Sequence, residues 1–532
     1  MIHIQSMKEK LANYKNYPGY AVVAVNLALI LIFVVFAYKW YFHSDAATKM
    51  LLASEMIKNG TIIPPDWYYV NGDIWIFFIQ LPLVILEKIF GYGWAGYVAN
   101  SIVYISIYLL AFIYFAKQLK VEFSSKVLLF VMAFSAYSTV NAMMVFGELT
   151  GISEPIFIFT LLGIFLSLEK SNSNKYFWLM GILIFVYTVG GPSRSLINNT
   201  APALLVTFLL YIDTNSKKYL LLLGTILLSF AIASTIYFLI LMPNVLMEFS
   251  RNNLSFASYD DVFMNIDIFT KGLFSYFSLE GPSSIKVESL DGLLYFYNFL
   301  FLVFAITAVA KMTQLKTKEI NLVTIVSFLF LYFFITIGYL YIFTNPLAKD
   351  STTFRYFRPL FYLMMIFMVL YIDKFNKPFK NIVIVVLLLF MTLINYKIYT
   401  SNASPRDLWH AQNQHQNVAN YLVDHNLTYG YASYWHAGVT MTLTENKTVV
   451  APIHMHNFTP RRWLSSKSWF EKTSVKKTFL LLDRGEYGNV QSILKKYIPN
   501  DPIDKVEIGS AIILIYDNND SSPKDGKGLI NL

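Results

Sequence analysis

Three acidic residues stand in stretches of this chain that carry little other charge. His43-Ser44-Asp45-Ala46-Ala47 follows directly on a long apolar run, and a carboxylate there can act as a general base on an incoming hydroxyl. Ser44 or Asp45 would also cap a helix over 46–58, and one residue can do both. Further along, Phe146-Gly147-Glu148-Leu149-Thr150-Gly151-Ile152-Ser153-Glu154-Pro155 sets Glu148 and Glu154 among apolar neighbours. Carboxylates at membrane depth line a polar cavity or pair with a cation. The competing role is again capping, since Ser153 and Glu154 precede Pro155, a favourable first-turn residue.

Arginine is the sharper signal. Against 34 lysines there are eight arginines: Arg194, Arg251, Arg355, Arg358, Arg406, Arg461, Arg462 and Arg484. The guanidinium fork grips a phosphate bidentately, which an ammonium cannot do. Arg355 and Arg358 lie in Thr353-Phe354-Arg355-Tyr356-Phe357-Arg358-Pro359, with Tyr356 between them, and Arg194 lies in the tight turn Gly190-Gly191-Pro192-Ser193-Arg194-Ser195. For Arg358 the alternative is snorkelling to lipid headgroups. Acids to activate a nucleophile, with arginines to hold a phosphate as it leaves, are equipment for a reaction on a lipid-linked phosphate.

Other features carry less. His454 and His456 form a His-x-His pair with no third ligand of metal-site spacing. The stretch 431–439, with Trp435 and His436, and the run Arg461-Arg462-Trp463 combine aromatic faces with polar groups, a mixture that suits sugar rings and equally suits core packing. There is no Walker loop, dinucleotide fingerprint, Ser-His-Asp signature or EF-hand, so a nucleotide-sugar donor has no support. The chain has no cysteine, which excludes disulfides, thiol nucleophiles and thiolate metal sites.

The elements that must position these residues are membrane helices. Of 532 residues, 56% are hydrophobic and 14% charged, against about 25% charged in ordinary globular proteins. The charges thin out over 1–399 and thicken over 400–532, which reads as a membrane domain followed by a small water-soluble one, 400–517, and a disordered tail, 518–532. A bilayer core needs about 20 apolar helical residues, and eleven runs qualify: 20–41, 94–116, 127–146, 152–168, 176–191, 196–212, 219–242, 292–310, 321–343, 359–373 and 380–397. The run 74–90 contains Gln80, Pro82, Glu87 and Lys88 and is expected to lie in the interface rather than to cross. With the N-terminus inside, the short inner turns collect 16 lysines and are net positive, whereas the rest of 1–399 is net negative. The net charge of +9 therefore marks topology, not nucleic-acid binding. Every arginine falls outside, as do the first loop (42–93) and all of 400–532. Strands are expected at 478–482 and 511–516 and an amphipathic helix at 489–497, giving a small α/β domain.

This order of features resembles the GT-C superfamily of integral-membrane glycosyltransferases. The resemblance rests on the first-loop acid Asp45 after the first span, juxtamembrane helices near 46–58 and 74–90, Glu154 in Ser-Glu-Pro-Ile opening the fourth span, and Arg355-Tyr356 entering a late span. It is nearest to protein-mannosyltransferase-like and lipid A aminoarabinose-transferase-like members, and O-antigen glucosyltransferases are similar in size. Ala46 stands where many members carry a glutamate after the first-loop aspartate.

The resemblance implies a polytopic GT-C-like enzyme of the plasma (inner) membrane, with the N-terminus cytoplasmic and the C-terminal domain periplasmic or extracellular. Such an enzyme moves a sugar from a polyprenyl-phosphate carrier, such as undecaprenyl phosphate, to a hydroxyl on a glycan, lipid or protein, with inversion. Asp45 is the expected base, helped by Glu148 or Glu154. Arg355, then Arg194, Arg358 and Tyr356, would hold the donor phosphate, and His43, Trp435 and His436 the substrate. A divalent cation, Mg or Mn, is compatible and would fall on Asp45 and Glu154. The competing class is a transporter or flippase of lipid-linked sugars, against which stands the lack of an inverted repeat; a scaffold protein would leave the acids unexplained.

Overall fold

In lipid, each backbone amide must be paired within the protein, so apolar runs of this length become helices. The computed structural model describes residues 2–74, 80–171, 173–249, 255–279, 286–314, 322–345, 351–401, 403–471 and 475–517; the tail 518–532 lies outside them. Among the described residues, eight helices are long and apolar enough to cross a membrane: Asn16–Tyr41, Trp94–Gln118, Pro192–Thr214, Lys217–Asn244, Leu290–Thr313, Leu322–Phe343, Phe354–Ile372 and Lys377–Tyr399. Phe123–Ala133, Ser153–Lys170 and Lys175–Thr188 occupy the other three predicted spans. The protein is an integral membrane protein of the expected helical class.

The predicted span 127–146 is not one helix. Its first part ends at Ala133, and a bend leads into the short helix Thr139–Ala142 and a π turn, Met143–Gly147. Serine hydroxyls redirect the backbone here. Ser135 Oγ donates to the Val131 carbonyl at 2.6 Å, Ser138 Oγ accepts the Asn141 amide at 3.3 Å, and Tyr137 adopts a left-handed φ of 59°. Carbonyls freed by the bend are taken up by tyrosines of neighbouring helices: Tyr108 donates to Ala133 at 2.6 Å and Tyr399 to Phe134 at 2.5 Å. An interrupted helix at membrane depth is tolerated where neighbours re-satisfy it in this way. The consequence is positional, because the short second part delivers Gly147 and Glu148 to the site.

Phe354–Ile372 is the most enclosed of the eight helices, with 78% of its apolar window buried, and it starts with Phe354, Arg355 and Tyr356. The C-terminal domain folds on a five-stranded sheet in the order Val449–Pro452, Tyr429–Ala432, Lys477–Asp483, Ala511–Asp517, Asp504–Ile508. The first three strands pair in parallel and the last three antiparallel. Phe479 to Leu482 and Ile512 to Ile515 are buried, each large side chain contributing about 1.5–3 kcal/mol. The predicted amphipathic helix runs Arg484–Tyr497.

A second, small sheet ties the layers together. Trp67–Val70 of the first loop pairs in parallel with Leu246–Glu248 and antiparallel with Ser465–Ser466 of the C-terminal domain. Three segments that the charge pattern places on one side of the membrane thus meet in one sheet.

Candidate active site

Phe42, the residue after the first span, is extended, and the chain then enters the helix Ser44–Asn59. The sequence offered Ser44 or Asp45 as its cap; the structure uses His43. Its Nδ1 accepts the Asp45 amide at 3.3 Å, and its Nε2 donates to Glu148 Oε1 at 2.7 Å. Ser44 serves the C-terminal domain instead: its hydroxyl donates to the Trp435 carbonyl at 2.9 Å and accepts the Val439 amide at 3.3 Å. With capping done by His43, the Asp45 carboxylate is left for other partners. Its Oδ1 accepts a hydrogen bond from the Tyr434 hydroxyl at 2.7 Å. Tyr434 is buried, with the Arg461 guanidinium 5.2 Å over its ring. Burial, reinforced by the Asp45 charge, pushes its phenol well above the usual range and keeps it a donor.

One turn beyond Asp45, Lys49 is fully buried and its ammonium donates to the Glu148 carbonyl. Burial lowers its pKa to about 8, although the Glu148 and Asp45 charges oppose the fall. Glu148 is buried too. Burial alone would raise its pKa, yet the hydrogen bond and charge of His43, with Lys49 and Arg355, hold it at about 2. Burial works against a charged His43, and Glu148 and Asp45 outweigh it to raise the imidazole. Glu148 thus stays ionised in an enclosed place. The approach needs Gly147, where a Cβ would lie 2.2 Å from the Tyr38 ring.

At the head of Phe354–Ile372, the Arg355 guanidinium lies 5.4 Å over the Tyr356 ring and within electrostatic reach of Glu148 and Asp45. Tyr356 and Glu154 line an apolar groove walled by Phe157, Ile158, Phe333 and Ile337. Arg358 differs from its neighbour. Expected to hold a phosphate or to reach lipid headgroups, it is 2% exposed, and its Nη1 pairs with Glu154 Oε2 at 3.1 Å. The guanidinium is enclosed, whereas the Glu154 side chain keeps 28% exposure on the groove. Gly151 makes the room, since a Cβ there would lie 1.2 Å from that Nη1. Arg194 is exposed and pairs with Asp73 of the first loop at 2.6 Å, where the Ile74 amide also donates to the Gly190 carbonyl at 2.6 Å. Its observed contact fastens the first loop to the turn at 190–195.

Of the expected substrate residues, Trp435 is half exposed, with its ring 6.5 Å from that of His43. His436 lies elsewhere. Neighbours on a helix point about 100° apart, and His436 faces Asp483 and Glu486. The expected cation ligands Asp45 and Glu154 do not come together as a metal set. Glu154 is paired with Arg358 and Asp45 holds Tyr434. Among the described residues, the His, Asp and Glu side chains close enough to share an ion are His436, Asp483 and Glu486.

No family model matches the chain, and no curated protein does. Two crystal structures of ArnT from Cupriavidus metallidurans do. The apo structure aligns with a TM-score of 0.50 and 10% identity, covering 94% of this chain and 98% of that one. The structure bound to undecaprenyl phosphate gives 0.49 and 9%, covering 96% and 99%. The chain shares the fold of ArnT. At this identity the likeness is one of fold.

Sequence reasoning passed over Lys49, Asp73 and Tyr434. Lys49 had a legible signal, a lysine four residues after Asp45 on a helix whose neighbours are Ala46, Ala47 and Met50. Tyr434 fell inside the aromatic stretch 431–439, but nothing in the sequence tied it to Asp45, 389 positions away.

Proposed function

We propose that the protein is a glycosyltransferase that moves a sugar from a polyprenyl-phosphate carrier to a hydroxyl acceptor at the outer membrane face, inverting the sugar carbon. The observation that carries this reading is the dipeptide Arg355-Tyr356. Arg355 lies within electrostatic range of Glu148 and Asp45, and Tyr356 lines an apolar groove. A lipid phosphate needs that pairing, a guanidinium for the head beside an apolar wall for the chain.

The site supports a single displacement at the sugar carbon. The acceptor hydroxyl gives its proton to the Asp45 oxygen not held by Tyr434, and its oxygen bonds to the sugar carbon. The bond from that carbon to the phosphate oxygen breaks, its electron pair goes to the polyprenyl phosphate, and Arg355 stabilises the added charge. A phosphate leaving group needs little help from an acid. Glu148, kept anionic by His43 and Lys49, orients this constellation, while Trp435 and His43 offer flat faces to the sugar. The meeting of the first loop, Leu246–Glu248 and the C-terminal domain in one sheet supports placing all three on the outer side.

The test is transfer in liposomes that contain the purified protein, undecaprenyl-phosphate sugar and envelope acceptors. Wild type should release undecaprenyl phosphate and label the acceptor, and Asp45→Asn should do neither. Unchanged transfer by Asp45→Asn would overturn the base assignment. Carrier that crosses the bilayer unbroken would replace the transferase with a transporter.

A further inference from the structure

The C-terminal domain holds a second polar cluster that the proposed reaction does not use. Asp483 ends the strand Lys477–Asp483 and caps the helix Arg484–Tyr497, in which Glu486 is the third residue. Their reciprocal capping box occupies Asp483 Oδ1, which accepts the Glu486 amide at 2.7 Å, and Glu486 Oε2, which accepts the Asp483 amide at 3.1 Å. Capping leaves Asp483 Oδ2 unused. It lies 3.5 Å from His436 Nε2, and Glu486 Oε2 lies 3.4 Å from the same nitrogen.

Those distances are informative. A charge-assisted hydrogen bond from imidazole to carboxylate is about 2.7–2.9 Å, so the three groups converge without closing on one another. Two ligands of one tetrahedral ion, each bonded at about 2.0–2.1 Å, stand roughly 3.3 Å apart. The three ligand atoms all lie within 4.8 Å of each other. His436 Nδ1 is buried without a hydrogen-bond partner, so no bond of ordinary length explains where the ring sits.

A second observation comes from the cavity beside the cluster. His415 is 8% exposed and lines it together with His436 and Asp483. Its ring centroid is 5.0 Å from that of His436, and no hydrogen bond to its ring nitrogens occurs among the described residues. One imidazole and two carboxylates leave a four-coordinate ion one ligand short, and His415 lines the cavity beside them. The cation nearby, Arg484, is turned outward to Glu507 at 3.6 Å.

We propose that His436, Asp483 and Glu486, with His415 beside them, form a binding site for a first-row divalent cation, zinc being the ion the donors suit. The ion ties the helix Tyr434–Leu443, which carries the Tyr434 bonded to Asp45, to the end of the central strand of the C-terminal sheet.

The experiment uses the full chain without a polyhistidine tag, in nanodiscs, dialysed against Zn²⁺ and assayed for bound metal, with Co²⁺ as the spectroscopic probe. Wild type should retain one equivalent and show visible Co²⁺ bands typical of nitrogen and oxygen ligands. His436→Ala and Asp483→Asn should lose both, whereas Asp45→Asn should keep them. Asp483→Asn guards against misfolding, because asparagine caps a helix as well as aspartate does. Wild type that takes up no stoichiometric zinc overturns the proposal, as do His436→Ala and Asp483→Asn proteins that bind it like wild type. Metal binding is read without sugar transfer, so it can fail while the transferase reading stands, and the reverse.

Discussion

The Tyr434 hydroxyl donates to Asp45 Oδ1 at 2.7 Å, joining two residues 389 positions apart. The C-terminal domain thereby holds one oxygen of the first-loop acid and leaves the other open. A hydrogen bond to a charged group is worth about 1.5–3 kcal/mol, so Tyr434→Phe should lower kcat roughly 10- to 100-fold. Tyr434 positions the base without touching the reacting atoms, so KM for the donor should stay near wild type. Wild-type kcat in Tyr434→Phe would remove it from the mechanism.

Glu148 makes acid the weak side of this protein. Its pKa is held at about 2 by His43, Lys49 and Arg355, against about 4.3 in an unfolded chain. A carboxyl depressed by folding contributes stability that is present above the unfolded value and is lost as pH falls through the folded one. Wild type in nanodiscs should therefore lose melting temperature between pH 5 and pH 2. Glu148→Gln, which has no proton to gain, should flatten that slope while lowering stability at pH 7. An equal slope in the two proteins would show that Glu148 is not the group responsible.

Sequence patterns disclosed the helical architecture because a bilayer imposes a length that composition alone can reveal. They also singled out Asp45, Glu148 and Arg355, scarce charges at the ends of apolar runs. What they missed was local or distant. The bend at 134–138 lies inside a run whose Ser-Ala-Tyr-Ser content does not lower its hydropathy enough to interrupt it, and only the donations from Tyr108 and Tyr399 reveal why it holds. His43 takes the cap because its ring also reaches Glu148, a contact that needs the bend to exist. Arg355 and Arg358 are alike in sequence, one turn apart, yet one lies within electrostatic range of Glu148 and Asp45 and the other is enclosed over Gly151, paired with Glu154.

That difference separates the arginines experimentally. Arg355→Ala should cost about 10²- to 10³-fold in kcat/KM for the polyprenyl-phosphate donor, the scale of removing one group that stabilises developing charge. Arg194→Ala removes an exposed ion pair with Asp73, worth about 0–1 kcal/mol, and should leave donor KM within about threefold. Arg194→Ala with the larger defect would move the phosphate site to the turn at 190–195.

Arg358 and Glu154 form a pair whose members depend on each other. Arg358→Met leaves the partly exposed Glu154 carboxylate without its cation, at a cost below the ~3–5 kcal/mol of breaking a fully buried pair. The double substitution Arg358→Met with Glu154→Gln removes both charges and should recover most of the lost melting temperature. No recovery would mean that Arg358 matters through its packing in the space over Gly151 and not through its charge.

Glu87 shows the opposite linkage. Both of its carboxyl oxygens are buried without a partner in the helix Gln80–Phe90, and burial pushes its pKa up to about 8. The unfolded value is about 4.3, so the folded protein holds this proton more tightly. Its contribution is fully present below the unfolded value and is lost as pH rises through 8. Glu87→Gln keeps a neutral side chain of the same shape at every pH. Its melting temperature should match wild type at pH 4 and below and exceed it at pH 9, with the gap opening between about pH 4.3 and pH 8. Parallel curves for the two proteins would show that water or a partner reaches the carboxyl in the membrane-bound protein.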